Sequence, residues 1–191
     1  AVTQALDDAA RWLQQAGYEV DEAELPFFHE AAALWRTLTV DDSRRNIIAG
    51  VEQHGDDIMQ RSQRYMLEGM AETDRDGFLD ALARRQALLR SWSVFMQTHP
   101  LVLMPVSWQR PCPQDEDIAS LERARALIDA QSPLLATAAL GMPGLAVPTG
   151  MAGGAPIGVQ LLAWRFREDL LLEAGQVLED AARFTPLVAQ P

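Results

Sequence analysis

Apolar residues recur at helical spacing from the start of the chain. Val2, Leu6, Ala9, Trp12, Leu13 and Ala16 fall on one face, which predicts an amphipathic helix over residues 1–16. Gly17 then supplies a residue that can take positive φ and end it. The period changes at once: "YEVDEAEL" (Tyr18 to Leu25) alternates apolar and acidic positions, the pattern of a half-buried strand, and Pro26 stops it. From Pro26 to about Gln97 the pattern is mostly helical. Ile47, Ile48 and Val51 form one stripe, and "HGDD" (His54 to Asp57) reads as a glycine stop followed by an acidic cap. Ile58, Met59, Tyr65, Met66 and Met70 form a second stripe. "ETDRDGF" (Glu72 to Phe78) reads as a turn. Phe78, Leu82, Leu89, Trp92 and Met96 make the longest stripe of the chain.

After Pro100 the run "PLVLMPV" (Pro100 to Val106) is short and continuously apolar, which predicts a buried strand. A proline-rich loop follows from Ser107 to Asp117. Asp117 is the expected cap of a helix carrying Ile118, Leu121, Ala124 and Ile128. Ser132-Pro133 restarts a helix, with proline at its tolerated first position. The segments "GLAVPTG" (from Gly144) and "PIGVQLLA" (Pro156 to Ala163) flank Gly153-Gly154. Two apolar runs around a glycine pair predict neighbouring antiparallel strands, since so short a link leaves no space for a crossover helix. A last helix is expected over residues 167–182. The fold class is therefore α/β: a mixed β-sheet of about four strands flanked by about six to seven helices.

Composition narrows the partners. The chain has 191 residues and a formal net charge of −11, whereas nucleic-acid binding needs a basic footprint. Its acids are spread in pairs such as Asp7-Asp8 and Asp56-Asp57, as solvated helix ends. The single cysteine, Cys112, cannot close an internal disulfide, so no oxidising compartment is implied. No charged-then-apolar leader pattern opens the sequence and no apolar run reaches ~18 residues. The expectation is a cytoplasmic polypeptide without membrane or nucleic-acid contact. All sixteen basic residues are arginine.

The C-terminal third carries the most specific pattern. "GMPGLAVPTG" (Gly141 to Gly150), "GGAPIGVQLLA" (Gly153 to Ala163) and "FREDLLLEAGQVLE" (Phe166 to Glu179) follow one another closely. In that order they resemble the C-terminal part of the amidase signature family, hydrolases of carboxamides. "AARWLQQAGYEVDEAELP" and "HPLVLMPVSWQRP" fit its preceding parts more loosely. The resemblance implies that residues 1–191 are the C-terminal part of an amidase signature domain and have a partial amidase-signature fold, with a helical segment, 27–97, inserted between sheet strands. It implies no cofactor and no metal. The family's chemistry uses a serine nucleophile, a second serine in a cis peptide and a neutral lysine, because a hydroxyl must lose its proton to a base before it attacks. Here no lysine occurs and no Gly-Gly-Ser-Ser run occurs; the seven serines are isolated or helical. No catalytic residue is carried over. The expected function is that of the C-terminal portion of an amidase, its triad lying upstream. The alternative is a catalytically silent scaffold or subunit-interaction module.

The same resemblance places the loop that follows the apolar strand, "MPVSWQRP" (Met104 to Pro111), at the substrate cleft. Loops at strand ends are also where ligand groups are usually presented. Val106, Ser107 and Trp108 are thus the candidate substrate-binding residues, with plain packing as the alternative. Two departures from the family pattern bear on the pocket: Met104-Pro105-Val106 stands in place of a threonine-proline-threonine run, and Ala138 in place of an asparagine. His29, His54 and His99 lack partners at metal-ligand spacing. "DRDG" (Asp74 to Gly77) lacks the glycine and glutamate positions of a calcium loop and reads as a capping turn. Incomplete cover of apolar stripes by this chain alone leads to the expectation of a homo-oligomer.

Overall fold

In the computed structural model, residues 1–68 and 73–184 are described. The expected contributions of Met70 and Glu72 lie outside them. The chain divides into two compact units: one comprises Ala1–Leu25, Ser93–Pro111 and the stretch from Gly141 onward, the other Pro26–Trp92 and Cys112–Leu140. Among the described residues there are eight α-helices, one 3-10 turn and three strands. No described helix is long and apolar enough to cross a membrane.

The first unit is a three-stranded sheet under two helices. Helix α1 (Val2–Gln15) buries Ala5, Ala9 and Leu13. Gly17, at φ +95°, donates to Gln14 O, and Tyr18 N donates to Leu13 O, both at 3.0 Å. These two bonds satisfy the carbonyls that a helix end leaves open, the Schellman arrangement. The sheet order is β1-β3-β2, with β1 at Leu101–Pro105, β2 at Gly144–Ala152 and β3 at Ala155–Ala163. Both pairings are antiparallel, so the sheet is not mixed. Leu161 sits opposite Leu103 on one side and Leu145 on the other, while Val159 sits between Pro105 and Val147. These residues share one face, because alternate side chains point the same way. Helix α8 (Glu168–Ala182) covers that face with Leu171, Ala174 and Leu178, together with Ala5, Ala9 and Leu13 of α1.

Two glycines set the spacing of this core. A Cβ on Gly158 would collide with the backbone carbonyl of Val147 and lie 3.0 Å from Pro148 Cα. A Cβ on Gly175 would collide with the Leu145 side chain, so its absence lets α8 sit low over β2. The hairpin turns on Gly153 and Gly154, both at positive φ (+62° and +83°), the primed-turn geometry that suits twisted strands. The register slips by one residue between Pro148 and Gly150, a bulge at Thr149.

The expected strand Tyr18 to Leu25 does not form. Its alternation is real, since Tyr18 and Val20 pack against the sheet core while Glu19 is exposed. Alternation selects a face, however, and only a ladder partner makes a strand. Among the described residues the segment has none, which leaves three strands where four are expected.

The second unit is helical: α2 (Phe28–Asn46), α3 (Ile48–His54), α4 (Asp57–Leu67), α5 (Arg75–Phe95, to Trp92 in this unit), α6 (Leu121–Ala130) and α7 (Ser132–Leu140). Helix α2 packs on α7, and both bury small residues, Ala31 and Ala32 on the first and Ala136 and Ala139 on the second. Asp56 caps α4 by accepting from Met59 N at 2.8 Å, as "HGDD" predicts. Asp74 accepts from Gly77 N at 2.7 Å, so "DRDG" is indeed a capping turn. Helix begins already at Arg75, however, inside the expected turn. On α5 the buried positions are Ala81, Leu88, Leu89 and Trp92, while Leu82 of the expected stripe is exposed. Asp117 does not cap α6. It lies in the 3-10 turn Glu116–Ile118 and accepts from the Ser62 hydroxyl at 3.0 Å. Ser120 caps instead, accepting from Arg123 N at 3.1 Å.

Candidate functional site

The candidate residues follow β1 directly. Pro105 closes that strand opposite Val159. Gln160, 3% exposed, donates from Nε2 to the Pro105 carbonyl oxygen at 3.1 Å. The polar amide that interrupts an apolar strand thus satisfies a buried backbone acceptor, which would otherwise cost about 1–3 kcal/mol. That bond pins the point at which the loop leaves the sheet. Val106 and Ser107 are half-buried and Trp108 is 49% exposed. The Ser107 hydroxyl oxygen accepts from Gln109 N at 3.2 Å, a local turn that Ser favours. Val106, Ser107 and Trp108 thus lie on one short loop, with Trp108 the most exposed of the three.

The far end of the loop comes close to the hairpin tip, a proximity that the sequence alone does not signal. The Arg110 guanidinium lies over Gly153 at the hairpin tip. Its Cζ is 3.3 Å from where a Gly153 Cβ would project. The near end of the loop is tied to β3 by the Gln160 bond.

Perturbed titratable groups lie elsewhere. In the sheet unit, a hydrogen bond from Gln4 and then one from Arg11 hold the Asp8 carboxyl below the ordinary carboxylate range. Arg167 does the same for Asp169, donating from Nε at 2.9 Å. In the helical unit Arg84 lowers Glu30. These are exposed ion pairs at helix surfaces, where a salt bridge contributes little. Burial pushes the Tyr18 phenol up, and the nearby Glu173 charge adds to it. None of these groups belongs to the Val106–Trp108 loop. Among the described residues no group of three His, Cys, Asp or Glu side chains is arranged to hold a metal ion.

The fold has counterparts among solved hydrolase structures. The structure superposes on 6-aminohexanoate cyclic dimer hydrolase with a TM-score of 0.73 at 20% identity, covering 96% of this chain and 42% of that one. Against fatty acid amide hydrolase the TM-score is 0.72 at 17% identity, covering 96% and 37%. The Amidase family model matches residues 1–172, and the chain belongs to that family. Among its relatives is an indoleacetamide hydrolase of Bradyrhizobium japonicum, 30% identical over 184 residues, which are 95% of this chain and 39% of that protein. A component of the glutamyl-tRNA(Gln) amidotransferase of Brucella ovis is 52% identical over 48 residues, 24% of this chain and 10% of that protein. The chain spans less than half the length of these relatives.

Proposed function

We propose that this chain is the C-terminal portion of an amidase that hydrolyses a carboxamide C–N bond to a carboxylic acid and ammonia or an amine. The observation that carries the reading is the family match over residues 1–172 in a sequence without a single lysine. In this reading a serine, a cis-peptide serine and a lysine base lie upstream. The serine oxygen attacks the amide carbon, its proton passes to the lysine and on to the leaving amine, and water then releases the acid from the acyl-serine. This chain completes the sheet and one wall of the cleft, with the helical segment 27–97 inserted between strands. Val106, Ser107 and Trp108 face the substrate, and Trp108 provides an apolar surface for its acyl or amine part. Exposed apolar side chains such as Phe166 and Leu172 support association of copies, and the setting is cytoplasmic.

The test is hydrolysis of simple aliphatic and aryl amides. The purified chain is expected to show no turnover above background, and co-expression with the upstream half of an amidase domain is expected to restore it. Trp108→Ala in the restored enzyme is expected to raise KM about tenfold. Turnover by the chain alone would overturn the assignment of chemistry to an upstream half. The absence of lysine also suits a silent scaffold derived from an amidase; failure of every upstream half to restore turnover, despite a stable complex, would favour it. Sedimentation at micromolar concentration tests association, a monomer at all concentrations excluding it.

A further inference from the structure

We infer that the outer edge of β2, from Gly144 to Pro148, is where a strand of the upstream half joins the sheet; the inference rests on the reading of this chain as the C-terminal portion of an amidase. Ala163 N donates to the Pro143 carbonyl at 3.3 Å, which fixes the phase of the ladder. Hydrogen-bonded and non-hydrogen-bonded pairs alternate in an antiparallel ladder, so Leu145 and Val147 bond to Leu161 and Val159. Gly144, Ala146 and Pro148 then turn their backbone groups away from β3. Proline at 148 fits that phase, because only an outward N–H can be dispensed with. The bulge at Thr149 ends the run, since a bulge re-aims the strand that carries it. What stays open is short and bounded: the N–H groups of Gly144 and Ala146, and the carbonyls of Gly144, Ala146 and Pro148.

The other outer edge, on β1, is not equivalent. By the same alternation the backbone groups of Leu101 and Leu103 point outward there. Their side chains pack on the same core as Tyr18 and Val20, and Asp21 Oδ2 lies 3.5 Å from His99 Nε2, just before β1. The chain's own segment from Tyr18 to Asp21 therefore flanks that edge. Along β2, by contrast, Gly144, Ala146 and Pro148 are all exposed. An open edge is a template for another strand, and a strand that adds to it gains main-chain hydrogen bonds. A second copy is the poorer occupant, because a two-fold β2–β2 seam would bring a proline from each side and lose a donor twice. A strand without proline can donate to all three carbonyls and accept from both N–H groups. In this reading it comes from the sequence by which the relatives exceed this chain, more than half of their length.

The first measurement is amide hydrogen exchange by NMR on the full 191-residue chain. Gly144 and Ala146 are expected to exchange at least about tenfold faster than Leu145 and Val147. They are expected to slow to the pace of those neighbours when the upstream half of the Bradyrhizobium japonicum indoleacetamide hydrolase is added as a separate polypeptide. Sedimentation reads the association itself. Ala146→Pro removes an outward N–H and leaves the β2–β3 ladder whole, so it is expected to weaken association at least about tenfold without faster exchange in β3. Should Ala146→Pro fail to fold, Ala146→Lys, which puts a charge on the open edge strand, decides in its place. Equal exchange along Gly144–Val147 in the chain alone would overturn the inference, as would association indifferent to the variant or no association of the wild-type chain. Slowing of Gly144 and Ala146 with rising concentration of this chain alone would give the edge to a second copy and overturn it too. If the halves associate through this edge yet hydrolyse no amide, the edge assignment stands and the amidase reading falls. Turnover by the two halves that Ala146→Pro leaves unchanged, with unchanged association, keeps that reading and removes the edge.

Discussion

The sheet unit and the helical unit bury side chains in different ways. In the sheet unit every buried strand residue is held twice, once by its ladder and once by the packing of its side chain. Val159, Leu161, Ala174 and Leu178 have no exposed surface, and the two strand residues among them are tied to partners on both sides. In the helical unit the elements are held unevenly. Helix α5 buries Leu88 and Trp92 completely, α3 buries only Val51, and α4 buries no residue at all. Ile58 and Met59 on α4 remain half-exposed. A ladder distributes constraint along the backbone, whereas a helix whose face is not buried depends on its own propensity and caps.

The sharpest way to break this contrast is at Gly158. Gly158→Ala drives a methyl into the backbone of β2, which cannot rotate away as a side chain would. A loss of about 3 kcal/mol or more is expected by urea unfolding. A loss below about 1 kcal/mol would mean that β2 can retreat and that the close approach is not structural. Leu161→Ala comes next. It empties a site packed between Leu103, Leu145 and α8, and about 2–4 kcal/mol is expected by the same measurement.

Hydrogen exchange compares the units directly. The amides of β3, bonded on both sides, are expected to be the slowest in the sheet unit, and those of α4 the fastest of any described helix. Equal protection would remove the distinction. Asp56→Ala is expected to cost about 1 kcal/mol, confined to faster exchange in α4, with β3 unchanged. The smallest effect concerns acid. Glu30 in the helical unit and Asp169 in the sheet unit both have lowered carboxyl pKa values. Each contributes stability above its unfolded pKa and loses it as pH falls through the folded value. NMR titration should place both midpoints below the ordinary carboxylate range, and Arg84→Met should return Glu30 to it without moving Asp169.

The hairpin Gly144–Ala163 was legible because its determinants are adjacent in the chain. Gly153-Gly154 supplies positive φ, and the alternation of Leu145 and Val147 with Val159 and Leu161 supplies the register. The same holds for the Gly17 stop and the Asp56 cap. Tyr18–Leu25 misleads because its alternation carries no information about a ladder partner. Asp117 and Ser120 are both good capping residues three positions apart, and only packing of the 3-10 turn against Ser62 decides between them. Sequence order gathers Val106, Ser107 and Trp108 on one loop, yet nothing in the sequence links Arg110 to Gly153, which lie far apart along the chain.

Local chemistry, then, is what the sequence by itself determined: hairpin-turn conformation, helix stops, the apolar faces of α1, β2, β3 and α8, and the amidase pattern from Gly141 to Glu179. Those features depend on residues within a few positions of one another, whose torsional preferences act before any long-range contact forms. The tertiary structure alone decided which alternating segment becomes a strand, which of two caps is used, and that Gln160 holds the Pro105 carbonyl where the loop begins. Each of these requires a partner far along the chain, and bringing such a partner close costs loop entropy that no local pattern encodes.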